Sequence, residues 1–313
     1  MSRYFGISRR FTNTRSHSAF RTFLLAGVAL YCSPGLSSAA AGGIVVNFDT
    51  TGFSAMNVQL VKGSSLQFAN PTAHALPLRI VTWRGKAVKS FSVPAHGAVF
   101  WKPSTYGVYD YYDAGDSSFG SAAIQGADGE KVYQVVARKS SHDFPAPAYG
   151  VVAVTDAEGG GIPLSTSYGP MEVPGKSTLL GKHRRSFMGG DAPWMEVPGG
   201  TMTFKPWVLV VKAGQAIQVY NEDGMKHGFF PGSYPVLYED HGKVKRYRRN
   251  FQGFVLGKNG GHRSIAFTQP GIYHILCPLH SYEWRHSYKS RRLYGGYPYV
   301  MDAVVVVEPA RSA

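Results

Sequence analysis

The feature that most restricts the fold of this chain is a succession of short strand-like segments separated by turn residues. Within the segments apolar and polar residues alternate, the two-residue period of a β-strand with one buried face. Glycine and proline account for 37 and 19 of the 313 residues, and few stretches show a helical period. The clearest strand-like runs are 57–61, 65–69, 78–81, 98–101, 107–112, 151–154, 207–220, 264–276 and 302–307. The sequence therefore predicts an all-β protein, long enough for two domains.

Two segments near the C-terminus carry side chains that are typical of a metal site. Asn221–Phe230 contains His227, and Gly271–His280 contains Cys277 with His280 three residues further on. Each segment lies beside a strand-like run, so a β-sandwich or barrel would bring them together at one pole. A thiolate and two imidazoles form the trigonal set that selects copper and makes an electron-transfer site.

At these residues the chain resembles the cupredoxin family of type 1, or blue, copper proteins. The match comprises the lead-in Val211–Gln215 before a strand, the Asn-x-Asp…His pattern ending at His227, and a Pro-Gly-x-Tyr-x-x-x-Cys-x-x-His run ending at His280. The resemblance implies a Greek-key β-sandwich or barrel that binds one type 1 copper per chain through His227, Cys277 and His280.

The fourth, axial ligand is where the sequence departs from the family pattern. The family usually places a Met a few residues after the second His, whereas Glu283 and Arg285 occupy the commonest spacings here. Met301 follows much later, directly before the apolar run that we expect to form the last strand. An insertion between His280 and Met301 explains this pattern, so Met301 is the expected axial ligand and Glu283 the alternative.

The N-terminal residues 1–41 resemble a secretory signal peptide. Five arginines precede the apolar run 23–30, and small residues follow up to an Ala-x-Ala site. The apolar run is too short to span a bilayer, so no stable membrane span is expected after cleavage. Arg9 and Arg10 leave twin-arginine export as an alternative to the general secretory route. These features predict a periplasmic or secreted protein.

Cysteine usage supports a metal-bound thiolate independently of the motif. Cleavage would remove Cys32 and leave Cys277 as the single cysteine of the mature chain. A single thiol cannot form an internal disulfide, and an exposed thiol outside the cytoplasm is prone to oxidation. A thiolate committed to a metal escapes that liability.

The first half of the chain reads as a repeat of the second half without the Cys ligand, with His74 following Asn70 roughly where His227 follows Asn221. Residues 62–70 align with 213–221, and residues 106–113 align with 270–277, which places Asp113 opposite Cys277 and Ala148 opposite Met301. The predicted organisation is a signal peptide at 1–41, a cupredoxin-like domain without the Cys ligand at 43–156, a linker at 157–203 and a copper-binding domain at 204–313. A separate site of His74, His96, Asp113 and His142 is the less favoured alternative.

The formal net charge of +14 falls to about +9 once residues 1–41 are removed. The basic residues do not line one face of a nucleic-acid-binding module, so no nucleic-acid partner is expected. They form clusters at 176–185, 243–249 and 285–292. The last two begin beside ligands, so we expect them to project from the copper end and to steer redox protein partners, for which an acidic surface is one option.

These observations predict an exported electron carrier rather than an enzyme. Enzymes built from cupredoxin repeats carry His beside the Cys ligand, whereas Cys277 lies between Leu276 and Pro278, and the chain has no His-x-His pair. A periplasmic copper carrier or storage protein is the first alternative. A subunit of a copper-dependent oxidoreductase and a metal-free interaction module are less favoured.

Overall fold

The computed structural model describes residues 43–49, 52–125, 131–137, 148–165, 193–280 and 300–310. These residues form strands and connecting turns with no helix, so the predicted all-β class is confirmed.

We call residues 43–165 the N-terminal half and residues 193–310 the C-terminal half. The strands of the N-terminal half are β1 (Ile44–Asp49), β2 (Gly52–Phe53), β3 (Asn57–Val61), β4 (Leu66–Asn70), β5 (Leu76–Thr82), β6 (Ala87–Val93), β7 (Gly97–Trp101), β8 (Gly107–Asp113), β9 (Ser117–Gln125), β10 (Lys131–Ala137) and β11 (Tyr149–Thr155). Those of the C-terminal half are β12 (Trp194–Val197), β13 (Val208–Lys212), β14 (Ala216–Asn221), β15 (His227–Pro231), β16 (Val236–Asp240), β17 (Lys243–Tyr247), β18 (Phe254–Leu256), β19 (Gly261–Ala266), β20 (Gly271–Leu276) and β21 (Asp302–Glu308).

The N-terminal half is a sandwich of two main sheets. One sheet has the strand order β2-β1-β4-β7, and the other has the order β17-β16-β3-β11-β8-β5-β6. Alternate residues of the facing strands fill the space between them, including Phe68, Leu78, Tyr111 and Val152. Burying each such side chain contributes about 1.5–3 kcal/mol, which makes this alternation the main source of the sandwich's stability.

The C-terminal half repeats the arrangement with a sheet of order β12-β14-β19 and a sheet of order β13-β21-β20-β15-β18. Strand β21 lies at the centre of its half and is buried along its whole length. The continuous Val304–Val307 run follows from this position, because a strand covered on both faces has no solvent-facing side. Strand β12, which lies in the stretch predicted as a linker, pairs with β14.

The two halves pack against each other through the outer face of the large N-terminal sheet. Tyr149 and Val151 on that face belong to the same apolar cluster as Val304 and Val306. The hairpin β16–β17 adds a second link, because β16 leaves the C-terminal half and pairs in parallel with β3. The described residues of both halves accordingly belong to one compact unit.

The central strands of the two halves have the same pairing register. Val151 pairs with Asn57 on one side and Asp110 on the other. Val304 pairs in the same way with Val208 and His274. Strands β3, β11 and β8 therefore correspond to β13, β21 and β20, residue by residue.

The basic insert after β15 does not lie where the sequence led us to expect it. The end of β15 lies beside Leu276, and the Gly232 amide just after it donates to the His274 carbonyl. After the hairpin, the hydroxyl of Tyr247 accepts a hydrogen bond from the Ile272 amide. The hairpin therefore extends past the start of β20, away from the end that carries Cys277. The expectation that this insert projects from the copper end is wrong. β16 instead pairs with the edge strand β3, so the hairpin extends the large N-terminal sheet by two strands.

Several predicted features lie outside the described residues. They are the signal peptide 1–41, the basic cluster at 176–185, the second basic insert at 285–292, Glu283, Arg285 and His142. In the part of the chain that the structure describes, we find no helix with the length and hydrophobicity needed to cross a membrane.

Candidate metal centre

The sheet of the C-terminal half brings His227 and Cys277 together. β15 begins at His227 and runs antiparallel to β20, with Phe230 opposite Leu276. Cys277 directly follows the end of β20, so both residues lie at the same end of neighbouring strands. A tight turn then returns the chain, and the His280 amide donates to the Cys277 carbonyl at 3.2 Å.

The three predicted equatorial ligands converge in the interior. The Cys277 Sγ lies 3.9 Å from Nδ1 of His227 and 3.4 Å from Nδ1 of His280. The three ligand atoms lie within 4.8 Å of one another, the only such cluster of His, Cys and acidic side chains among the described residues. The exposed fractions of His227, Cys277 and His280 are 0%, 0% and 8%.

Three backbone amides around Cys277 partly offset the cost of a buried negative charge on its sulfur. Burial raises the pKa of the thiol, while the backbone amides of Gly228, Leu279 and His280 act in the opposite direction. The Gly228 amide donates to Sγ at 3.1 Å. Amide donors of this kind stabilise a thiolate once a cation has removed its proton.

Gly228 reaches the sulfur because it has no side chain. A Cβ at this position would lie 2.6 Å from Cδ of Pro278, closer than real side chains approach. The close approach of β15 to the segment after Cys277 therefore requires glycine, and it is this approach that delivers the amide hydrogen bond.

His227 is oriented by a carboxylate. Its Nε2 lies 2.8 Å from Oδ2 of Asp223. Burial opposes the charge on Asp223, but hydrogen bonds from His227 and the Gly200 amide hold the pKa of this carboxyl below its usual range. An ionised carboxylate only accepts hydrogen bonds, so the His227 proton resides on Nε2 and the Nδ1 lone pair faces Cys277.

Both imidazoles are neutral at physiological pH, the form that binds metals. Burial lowers the pKa of His227, against the opposing effect of Asp223. Burial, followed by the proximity of His227, lowers the pKa of His280 to about 4. The rings of the two histidines lie 4.5 Å apart between centroids.

The backbone of Met301 lies against one of the three converging residues, Cys277. Met301 is 2% exposed and belongs to the same apolar cluster as Cys277. The Cys277 amide donates to the Met301 carbonyl at 3.1 Å, which fixes the backbone of residue 301 against the thiol residue. The alternative axial residue, Glu283, lies outside the described residues.

The donor set fits copper. Protein-bound zinc, which shows typical metal–ligand lengths, bonds at about 2.3 Å to sulfur and about 2.0 Å to nitrogen, so one metal ion could reach a sulfur and a nitrogen up to about 4.3 Å apart. The two sulfur–nitrogen distances of 3.9 and 3.4 Å are within that reach. Thiolate and imidazole in a buried pocket, with a thioether residue adjacent, are the donors that copper prefers over harder cations.

The N-terminal half keeps the framework and lacks these donors. Asp113 occupies the position of Cys277, since its amide donates to the Ala148 carbonyl at 3.0 Å as that of Cys277 does to Met301. The position of His227, six residues after Asn221, is Leu76 after Asn70 rather than His74. His74 and His96 are exposed. Among the described residues, the alternative site of His74, His96 and Asp113 does not form a cluster.

Sequence reasoning assigned no role to two residues of the site, Asp223 and Gly228. Asp223 was part of the Asn-x-Asp…His pattern, and its spacing of four residues from His227 was the signal that could have identified a carboxylate–histidine pair. Gly228 carried no signal, because its role depends on contacts with Pro278 and Cys277, some fifty residues away in sequence.

Neither a protein-family model nor a curated protein matches the sequence. Among solved structures, the chain is similar to amicyanin from Paracoccus versutus (Thiobacillus versutus), at 20% identity and a TM-score of 0.25, over 39% of this chain and 87% of amicyanin. It is also similar to a purple cupredoxin from Nitrosopumilus maritimus, at 17% identity and a TM-score of 0.22, over 37% of this chain and 99% of that protein.

Proposed function

We propose that the protein is an exported mononuclear type 1 copper protein that passes single electrons between redox partners. The observation that carries this proposal is the convergence of His227, Cys277 and His280 in one buried cluster. Met301 completes the proposed ligand set as a weak axial donor. Bound copper would supply one-electron Cu(II)/Cu(I) chemistry.

The surroundings of the ligands favour electron transfer over reversible metal delivery. Asp223 fixes the ring of His227, and the Gly228 amide fixes the sulfur of Cys277. A donor set held in place in this way changes little between oxidation states, which favours rapid electron transfer. A copper carrier needs ligands that open to release the metal.

His280 is the proposed route for the electron. It is the least buried of the three converging residues, at 8% exposure against 0% for the other two. An electron that leaves through its ring edge crosses the shortest layer of protein. A redox partner should therefore dock over the loop that carries His280.

Proposed export and partners follow the sequence. Residues 1–41 would direct the chain to the periplasm or the exterior, and N-terminal sequencing of the secreted protein checks this directly. Redox proteins are the proposed partners, and an acidic docking surface would complement the basic residues that follow His280 in sequence.

The decisive experiment is visible absorption and electron paramagnetic resonance of the copper-loaded protein, combined with metal counting. An intense thiolate-to-copper band at one copper per chain supports the proposal. Copper that binds only as Cu(I) and passes freely to a chelator indicates a carrier instead. Purification with stoichiometric zinc that copper does not displace contradicts the proposal.

A further inference from the structure

The N-terminal half makes hydrogen bonds to the residues on both sides of Met301, to the backbone of Val300 and to the side chain of Asp302. On one side, Nε2 of Gln134 donates to the Val300 carbonyl at 3.4 Å. On the other side, the hydroxyl of Tyr149 donates to Oδ2 of Asp302. Gln134 lies on β10 and Tyr149 on β11, so both contacts come from the half that lacks the copper donors.

Asp302 is the centre of a buried network that joins the halves. The indole Nε1 of Trp207 donates to its Oδ1 at 3.1 Å, and Nε2 of His274 lies 3.0 Å from its Oδ2. The rings of Tyr149 and Trp207 pack edge to face, 5.3 Å apart between centroids. Asp302 is 1% exposed, so each of these hydrogen bonds forms away from water, where losing one is costly.

Gln134 is itself held in place. Its Oε1 accepts a hydrogen bond from the hydroxyl of Thr203 at 2.6 Å, and its side chain is 1% exposed. The amide group that reaches Val300 is therefore fixed from the C-terminal half as well. Residues 300, 301 and 302 each have a named partner, since the Met301 carbonyl accepts from the Cys277 amide.

We propose that Tyr149 and Gln134 are positioning residues that set the axial ligand, so that the N-terminal half serves as a clamp on Met301. This inference rests on the proposed function, in which Met301 is the weak axial donor. A thioether on a flexible, unbranched side chain has little positional preference of its own. The axial contact of such a site is weak and long, so its strength depends on where the backbone places the side chain. The clamp explains what a second sandwich without copper donors contributes to this site.

The first test uses the metal-free protein and the variant Tyr149→Phe, which removes one hydroxyl and leaves the ring. Hydrogen exchange of the Cys277 amide reports on the clamp, because this amide donates to the Met301 carbonyl. We expect its protection to fall relative to the other amides of β20. The matched control is Tyr111→Phe, whose hydroxyl donates to the Ala55 carbonyl within the N-terminal core and touches neither neighbour of Met301. Equal protection of Cys277 in the two variants overturns the proposal.

The second test measures the reduction potential of the copper-loaded variants. A looser Met301 donates less to Cu(II), so Tyr149→Phe and Gln134→Met should both raise the potential, in the direction of Met301→Leu and by less. Tyr111→Phe should leave it unchanged. A clear shift in Met301→Leu with none in Tyr149→Phe or Gln134→Met overturns the clamp alone. If Met301→Leu itself is silent, the axial assignment in the proposed function fails, whereas the exchange measurement still decides whether the N-terminal half holds residue 301.

Discussion

The two halves of the molecule share a framework but differ in what they place at the end of the central strands. In each half an asparagine ends the strand before the loop, at Asn70 and Asn221, and its side-chain amide donates to the carbonyl four residues later at 2.7 Å. Its oxygen accepts from the amide two residues later, at 3.2 Å in the N-terminal half and 3.0 Å in the other. The loop geometry is thus built by asparagine in both halves, with or without metal donors.

The side chains at corresponding positions of the two halves are chemically unrelated. The N-terminal residues and their C-terminal counterparts are Thr72 and Asp223, Leu76 and His227, Pro77 and Gly228, Asp113 and Cys277, and Ala148 and Met301. A framework that tolerates an aliphatic chain, a proline and a carboxyl group at these positions does not need a metal in order to fold. We therefore expect the C-terminal half to fold without a metal at His227, Cys277 and His280.

The largest effect is expected when the thiol that only the C-terminal half carries at this position is removed. Cys277→Ser should abolish the intense visible band of the copper-loaded protein, because a hydroxyl is a poor soft ligand. The variant should still unfold cooperatively, since the N-terminal half keeps the same framework with Asp113 at this position. Absorption with metal counting and circular dichroism measure the two results.

Asp113→Ser is the matched control for this variant and should leave the band unchanged. An intense band that survives Cys277→Ser, or one that disappears in Asp113→Ser, would show that the thiolate assignment is wrong.

The next effect concerns the carboxylate that only the C-terminal loop contains. Asp223→Asn keeps the size of the side chain and removes the charge that orients His227 and supports its lone pair. Losing such a partner typically costs about 10–100-fold in metal affinity, and we expect a loss on this scale for copper. The reduction potential should rise, because the missing negative charge stabilised Cu(II) more than Cu(I).

Competition with a copper chelator measures the affinity. Asp156→Asn is the control, since Asp156 caps a turn of the N-terminal half through the Gly160 amide. Equal affinities in the two variants would assign Asp223 a role in loop structure only.

Some of this comparison could be predicted from the sequence. The all-β class followed from the alternation of apolar and polar residues. The metal cluster followed from the positions of His227, Cys277 and His280, because two of these residues lie at strand ends and the third follows Cys277 after a spacer of two residues. Asp113 could be placed opposite Cys277 because the strands that lead to them align without gaps, and Ala148 opposite Met301 because the strands that follow them align in the same way.

The remainder depended on tertiary contacts that local sequence does not encode. The hairpin β16–β17 is rich in charged side chains like many exposed hairpins, and nothing in it identifies the β3 edge with which it pairs. The links from Tyr149 and Gln134 to residues 302 and 300 span more than a hundred residues in sequence. They arise from the packing of two sheets, which a reading of each half alone cannot reveal.

A smaller effect is expected from the glycine whose N-terminal counterpart is a proline. Gly228→Ala would place a Cβ 2.6 Å from Pro278 and 3.0 Å from Phe230, so β15 must shift and the amide must retreat from the sulfur. We expect the free energy of unfolding of the metal-free protein to fall by about 1–3 kcal/mol, as for other overpacked sites. Denaturant unfolding gives this number.

The matched control for Gly228→Ala is in the loop just before it. A Cβ at Gly224 would meet no atom within 4 Å, so Gly224→Ala should change stability little. Equal losses in the two variants would contradict the steric argument and remove the reason given for glycine at position 228.

The smallest effect concerns a corresponding pair on the central strands, Asp110 on β8 and His274 on β20. His274 has a partner in Asp302, whereas neither carboxyl oxygen of Asp110 has a hydrogen-bond partner among the described residues. Burial, with a further contribution from the charge of Asp302, raises the pKa of Asp110 well above 3.8. The folded protein therefore keeps a proton on Asp110 that the unfolded chain releases.

This difference fixes the sign of a pH effect. At pH values between the pKa of Asp110 in the unfolded chain and its pKa in the folded protein, the native state binds more protons than the unfolded chain. Asp110 therefore lowers the free energy of unfolding progressively as pH rises through this range. Asp110→Asn cannot lose a proton, so its stability relative to the original protein should improve from below pH 3.8 to neutral pH. The size of the improvement depends on how far burial raises the pKa of Asp110, at about 1.4 kcal/mol per pKa unit, and the cost of the unpaired amide is the same at both ends of the range and cancels. Denaturant unfolding at both ends of this range measures it, with the exposed Asp49→Asn as the control. A relative stability of Asp110→Asn that does not change with pH would mean that Asp110 has a partner beyond the described residues, and would remove this difference between the halves.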